Sequence, residues 1–276
     1  MIIGSHVRTK GGVFSAPEIA VEETAEAVQV FASNARQWRH PAYTDERAQE
    51  FRAAWKEAGL GPLFFHAPYL VNIASPVPEF LAKSVELARA TMVAAEQLGA
   101  EGLVVHAGAG GPEEPERALE RAAESLRAAA EASEAGLIVE LMAGTMGSVA
   151  TTIPQAARLF EMVDHPRLRL CLDTCHLFAG GYALDTPEGV TACFDEVRQH
   201  GLADRLVLVH ANDAKFERGS RRDRHENVGK GFIGEDGFRA VLHEPAVQEC
   251  AVVVETPGRR ENHREDIETL RRLAAA

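Results

Sequence analysis

The sequence predicts a single (β/α)8 barrel domain over residues 1–276, and three observations carry that prediction. Short apolar runs, several of them β-branched, recur eight times along the chain. Stretches rich in Ala, Glu and Arg with helical period separate them. The length, 276 residues, exceeds the usual single domain but suits an α/β barrel, which takes about 250 residues. Strand and helix alternating over the whole chain imply a parallel sheet, and eight repeats imply that the sheet closes.

The apolar runs lie at residues 2–3, 28–31, 63–65, 103–105, 137–139, 168–172, 206–209 and 251–254. Helical period is clearest at 84–98 and 116–135, with further stretches at 18–27, 45–58, 186–199 and 266–273. No linker divides the chain. An open dinucleotide-binding sheet is the alternative fold, but the one glycine-rich turn, HAGAGG at 106–111, lacks the G-x-G-x-x-G spacing that cradles a pyrophosphate.

Composition narrows the function classes. Hydrophobic residues make up 46% and charged residues 25%, an ordinary globular balance that excludes disordered and fibrous chains. No apolar stretch reaches the ~18 residues needed to span a bilayer, and MIIGSHVRTK leads straight into a strand without a signal-peptide layout. A cytoplasmic protein with no membrane partner is expected, acting as a monomer. Cys171, Cys175, Cys193 and Cys250 have no C-x-x-C spacing and read as buried thiols. The net charge of -12 argues against nonspecific nucleic-acid binding. A polyanion would have to be met locally, by Arg36 and Arg39 or by Arg218, Arg221, Arg222 and Arg224.

The residues that follow the strands carry the functional argument. His66 follows the third run, His106 the fourth, Glu140 the fifth, Asp173 and His176 the sixth, His210 the seventh and Glu255 the eighth. Barrel enzymes carry their chemistry at that end of the strands, and six consecutive strands ending in a metal-ligand type are hard to read as packing. Asp223 and His225 are separated by one residue, so in an extended segment they share a face and can converge on one ion. Neutral imidazole and carboxylate suit zinc or manganese. Five histidines and four carboxylates are too many for one tetrahedral ion. With three protein ligands per catalytic zinc and one position left for water, nine serve three ions. Such a cluster leaves net positive charge in an acidic protein and favours phosphodiester hydrolysis.

Three segments, HAPYLVNIA at 66–74, RLCLDTCH at 169–176 and VHANDAKFERGSRRDRHENVGKG at 209–231, resemble the endonuclease IV family of apurinic/apyrimidinic endonucleases. GSHV with GG, and NARQWR at 34–39, extend the likeness to nearly the whole chain. The resemblance implies a (β/α)8 barrel holding three zinc ions, with manganese possible in one or more sites. It implies nicking of double-stranded DNA 5′ to abasic sites and trimming of blocked 3′ ends. It puts His66, His106 and Glu140 on one ion, and lets Glu140 bridge to a second held also by Asp173, His210 and Glu255. The third ion takes His176, Asp223 and His225. It further implies a hydroxide between the first two ions as nucleophile, with Glu140 and Glu255 as the catalytic carboxylates. Arg36, Tyr69 and Leu70 match loops that enter the DNA minor groove. Leu141 and Ala107 depart from the family's usual Asn and Pro, which bears on the surroundings of Glu140.

Two rival readings remain open at this level. A sugar isomerase or epimerase is similar in barrel and in strand-end ligands, but has no obvious use for Asp223 and His225 among four arginines. A DNA-damage binding module with purely structural metals is the other.

Overall fold

The computed structural model describes residues 1–9, 11–34 and 36–276. Eight parallel strands close into a barrel: β1 (Ile2–His6), β2 (Ala27–Phe31), β3 (Leu63–His66), β4 (Gly102–His106), β5 (Gly136–Glu140), β6 (Leu168–Asp173), β7 (Leu206–His210) and β10 (Ala251–Val254). Their order around the barrel is β1-β10-β7-β6-β5-β4-β3-β2. All eight predicted strands are present. Closure is made by β1, which pairs in parallel with β10 on one side and β2 on the other.

The outer layer comprises α1 (Ala16–Glu23), α2 (Asp45–Glu57), α3 (Pro78–Leu98), α4 (Pro115–Ala130), α5 (Ile153–Val163), α6 (Thr174–Gly180), α7 (Pro187–Gln199), α8 (Gly234–His243), α9 (Pro245–Gln248) and α10 (Arg260–Ala274). Helix α4 illustrates why these segments pack. It turns Ala118, Leu119, Ala122, Ala123, Leu126, Ala129 and Ala130 inward, the i, i+4 stripe that an amphipathic helix lays on a sheet. Each fully buried Leu, Ile, Val or Phe in such a layer contributes about 1.5–3 kcal/mol. Threonines begin three helices: Thr44, Thr152 and Thr186 accept from Arg47 N, Gln155 N and Gly189 N, satisfying otherwise orphaned donors.

Helical period alone misplaces several boundaries. The stretch at 18–27 stops at Glu23, because Thr24 takes the left-handed conformation (φ 58°) and its N–H closes onto Ala20 and Val21; Ala27 is already in β2. The stretch at 116–135 ends at Ala130, freeing 132–135 to lead into β5. The expected helices at 84–98 and 266–273 start earlier, at Pro78 and Arg260. Helices α5, α6, α8 and α9 are not predicted by period: prolines or glycines interrupt the pattern at the starts of α5, α8 and α9, and α6 is held by a site carboxylate, Asp173, whose side chain accepts from His176 N.

A two-stranded antiparallel ladder sits on the barrel's carboxyl end. Strand β8 (Asp213–Ala214) pairs with β9 (His225–Glu226). Buried Asp213 clasps the far end of the same loop, accepting from Gly231 N at 2.9 Å and Ile233 N at 2.9 Å. Gly231 is required there, since a Cβ would lie 2.5 Å from Asp213 Oδ1 and 2.4 Å from the Ala214 carbonyl oxygen. Gly231, which closes the long motif, is therefore structural.

Gly4 has an equally specific reason. A Cβ at Gly4 would fall 1.6 Å from the Ala27 carbonyl oxygen, within the backbone of the neighbouring strand. Gly4→Ala should cost more than roughly 3 kcal/mol, the upper end of ordinary overpacking, because no side chain can move to relieve it. Guanidinium unfolding tests this, and wild-type stability in the variant would contradict the β1–β2 register.

Candidate metal centre

The site is built by strand periodicity. Side chains two residues apart share a face of a strand. The barrel interior is plugged by a layer that includes Phe64, Val104, Ile138, Cys171, Leu208 and Val253. Two residues further along each strand come His66, His106, Glu140, Asp173, His210 and Glu255. The same step takes Gly4 to His6 on β1 and Ala27 to Gln29 on β2. All eight strands thus present a polar side chain from the inward column, above an apolar floor.

Glu140 lies at the centre and is wholly buried. Its Oε2 is 3.1 Å from His66 Nε2 and 3.1 Å from His106 Nε2. Its Oε1 is 3.2 Å from His176 Nδ1 and 3.3 Å from His210 Nδ1. His210 Nδ1 also faces Glu255 Oε2 at 3.4 Å and Asp173 Oδ2 at 3.8 Å. On the other side, Asp223 contacts His176 Nε2 at 3.3 Å and His225 Nε2 at 3.2 Å. The nine predicted side chains fall into three groups: His66, His106 and Glu140; Glu140, Asp173, His210 and Glu255; and His176, Asp223 and His225. Within each group the candidate ligand atoms lie within 4.8 Å of one another.

Three of those atoms, Glu140 Oε1, His210 Nδ1 and His225 Nε2, are buried without a hydrogen-bond partner. Buried polar atoms are rarely left so, and the donor set suits a divalent ion, so the residues fit a metal. At three of the five histidines a backbone carbonyl engages the opposite ring nitrogen, as is usual for metal-ligating histidines. His66 Nδ1 donates to the Ala67 carbonyl at 2.8 Å, His176 Nδ1 to that of Leu141 at 2.8 Å, and His225 Nδ1 to that of Glu255 at 3.2 Å. Leu141 therefore serves through its backbone, which any side chain supplies. Cys175 could join Asp173 and His225 as a further group. Burial pushes its thiol up to about 12, and it donates to the Arg224 carbonyl. All four cysteines are buried and unpaired, as expected.

The groups behind the ring hold it in place. Asn212 Nδ2 donates to Asp173 Oδ2 at 2.7 Å, and its Oδ1 accepts from Glu255 N at 2.7 Å. Thr174 Oγ1 bridges to the Asn212 backbone in both senses. Asp266 on α10 accepts from Val228 N at 3.0 Å and Asn227 Nδ2 at 2.8 Å, tethering the segment that carries His225. His6 and Gln29 are the members of the ring that sequence reasoning misses: the first apolar run ends at Ile3, and a lone Gln in AVQVF carries no local signal. The signal available is the shared two-residue step from the interior layer.

The DNA-facing candidates stand apart. Tyr69 is 70% exposed beside the cavity mouth, its ring 5.2 Å from Phe31. Leu70 is half-buried and Arg36 exposed. The cavity over the ring measures about 1170 Å³ and is lined also by Arg8, Arg39 and Arg224.

Fold and site together define a TIM barrel with clustered imidazoles and carboxylates suited to several metal ions. A family described as xylose isomerase-like TIM barrel matches residues 17–273. A relative called probable endonuclease 4 from Streptomyces avermitilis is 40% identical, over 98% of this chain and 89% of its own length. One of the same name from Methanoculleus marisnigri is 37% identical over 100% of both. The crystal structure of endonuclease IV from Thermus thermophilus is 34% identical and superposes with a TM-score of 0.87, covering 100% of this chain and 99% of that one. The chain belongs to the endonuclease IV family. A D-tagatose 3-epimerase-like protein, 19% identical with a TM-score of 0.78, shares the fold alone.

Charge in the ring makes stability depend on pH. Burial would raise the Glu140 carboxyl, but His106, His210 and His176 hold it well below the usual range. Burial pulls His225 down, yet Asp173, Asp223 and Glu255 together push it up to about 9 from 6.5. An imidazole raised in this way stabilises the fold fully below pH 6.5, and that contribution is lost as pH rises through about 9. Protein stripped by a chelator should therefore lose stability between those values. Protein loaded with zinc should not, because ions replace the protons. Melting temperatures of both forms across that interval test this; parallel profiles would contradict the metal reading.

Proposed function

We propose that the chain is a metal-dependent apurinic/apyrimidinic endonuclease of the deoxyribonuclease IV type, acting in base excision repair. It hydrolyses the phosphodiester 5′ to an abasic site and removes blocking groups from 3′ ends. The observation that carries this reading is the division of nine side chains into three groups around Glu140, in a chain related along its length to proteins called endonuclease 4. Three zinc ions are the expected complement, with manganese an alternative: His66, His106 and Glu140 for the first; Glu140, Asp173, His210 and Glu255 for the second; His176, Asp223 and His225 for the third.

Bound ions would supply Lewis acidity, an acidified water and neutralisation of leaving-group charge. The chain's own groups do the rest. Glu140 is fixed by the four imidazoles around it, and Glu255 by Gln29, His6 and the bond from its backbone N–H to Asn212, which keeps both carboxylates at the reacting centre. The cavity, at about 1170 Å³, has room for a nucleotide turned out of the helix. Arg8, Arg39 and Arg224 line it and bring local positive charge to a chain of net charge -12. Arg36, Tyr69 and Leu70 enter the minor groove and fill the space left by the missing base, where unstacking costs least. A sugar epimerase uses one or two ions and leaves Asp223 and His225 without a task, which favours the nuclease. No helix among the described residues is long and apolar enough to cross a membrane.

Incubation with a duplex carrying one abasic site is the direct test, with elemental analysis of the active protein. About three ions per chain and nicking 5′ to the site are expected; one ion or none in active protein contradicts the assignment. Glu255→Gln should nearly abolish nicking with the fold intact, because a neutral amide ligates poorly. Retained activity would remove Glu255 from the reacting centre.

Arg36→Ala separates wedge from anchor. A wedge loses affinity for the abasic duplex far more than for the undamaged one, whereas a phosphate contact weakens both alike. Titration with a catalytically dead variant distinguishes them, and equal losses would refute the wedge role.

A further inference from the structure

Gln29 is the one amide in the ring of strand-end side chains, and it is fully buried. Its Oε1 lies 2.9 Å from His210 Nε2. An amide oxygen only accepts, so His210 Nε2 carries a proton, and in the neutral ring it is Nδ1 that keeps the lone pair. That Nδ1 is the atom facing Glu140, Asp173 and Glu255 without a hydrogen-bond partner.

The other end of the amide acts on a second member of the same group. Gln29 Nε2 donates to Glu255 Oε1 at 2.6 Å, and His6 Nδ1 approaches the same oxygen at 2.8 Å. Oε1 is thereby occupied, and Oε2, the oxygen 3.4 Å from His210 Nδ1, is left to face the group. The amide cannot be reversed. Turning it over would set its oxygen in place of the donor that lies 2.6 Å from Glu255 Oε1, against a carboxylate oxygen that can only accept.

We propose that Gln29 is a positioning residue for the metal position formed by Glu140, Asp173, His210 and Glu255: one amide sets the tautomer of His210 and the ligating oxygen of Glu255. This inference rests on the metal reading of the site. Strand β2 supplies none of the nine candidate ligands, so its contribution to the centre is made through Gln29. The effect is confined to one position of three, because Gln29 contacts no member of the group His176, Asp223 and His225 and reaches the first group only through shared Glu140.

Gln29→Glu and Gln29→Met, both close in size, test the assignment. The first keeps an acceptor for His210 but sets a carboxylate against Glu255; the second removes both contacts, together with the 2.9 Å approach of Gln29 Nε2 to His6 Nδ1. Zinc retention is followed against a graded series of chelator concentrations, with elemental analysis at each step and melting of the metal-free forms in parallel. Both variants should release one ion at about 10 to 100-fold lower chelator strength than wild type, the usual consequence of removing a group behind a ligand, while the other two ions stay bound. A purely packing role would lower the metal-free melting temperature and leave all ions held as in wild type. That result overturns the inference. A wild-type protein that binds no zinc overturns the metal reading itself, a failure seen without either variant.

Discussion

The centre of this molecule is a carboxylate that has no business being dry. Glu140 is wholly buried at the end of β5, and an isolated carboxylate there would cost several kcal/mol after every relaxation available to it. It is tolerated because four imidazoles surround it, two on each oxygen. The arrangement remains incomplete in hydrogen bonds, with Glu140 Oε1 and His210 Nδ1 both unpartnered. A cluster so charged, closely spaced and incompletely bonded has the chemistry of a metal centre and a poor design for packing. The structure around it brings those groups together and holds them in place.

Bringing them together is the work of the barrel. Strands that are far apart in sequence become neighbours, and the pleat turns alternate residues inward, so an apolar floor is followed at a fixed step by a polar ring. The floor matters to the chemistry as much as the ring does. It closes the lower side of the site, lowers the effective dielectric and so strengthens each charge interaction above it. The outward residues of the same strands do separate work: Ser5, between Gly4 and His6, donates to buried Glu23 at 2.6 Å on α1, which in turn contacts His263 on α10 at 3.1 Å.

Keeping the groups in place falls to polar side chains that touch no substrate. Asn212 ties Asp173 to the Glu255 backbone, Thr174 locks Asn212, Asp213 closes the loop bearing Asp223 and His225 by accepting from Gly231 N, and Asp266 holds the same loop at Asn227 and Val228. These contacts explain why the long motif from Val209 to Gly231 is rich in polar residues beyond its ligands. Half of it is scaffolding. Among the described residues, the exposed side chains of Tyr69 and Arg36 take no part in this scaffold.

The sequence by itself determined the fold class, the eight strands and the identity of all nine candidate ligands. Two signals were local enough to read: period in the helices and strands, and the abrupt change from apolar to polar at strand ends. Helix ends were less legible, because they depend on single backbone turns such as that at Thr24. The partition of the ligands into three groups was implied by resemblance, but the distances that support it arise only when the barrel closes. Placement of Asp223 and His225 beside His176 depends on the short β8–β9 ladder and the Asp213 clasp, contacts between residues too distant in sequence for any periodicity to announce. The parts played by His6 and Gln29 likewise belong to tertiary structure. A single polar residue in an apolar strand has no meaning until the strand's neighbours are known, and those neighbours, His210 and Glu255, lie on strands at the opposite end of the chain.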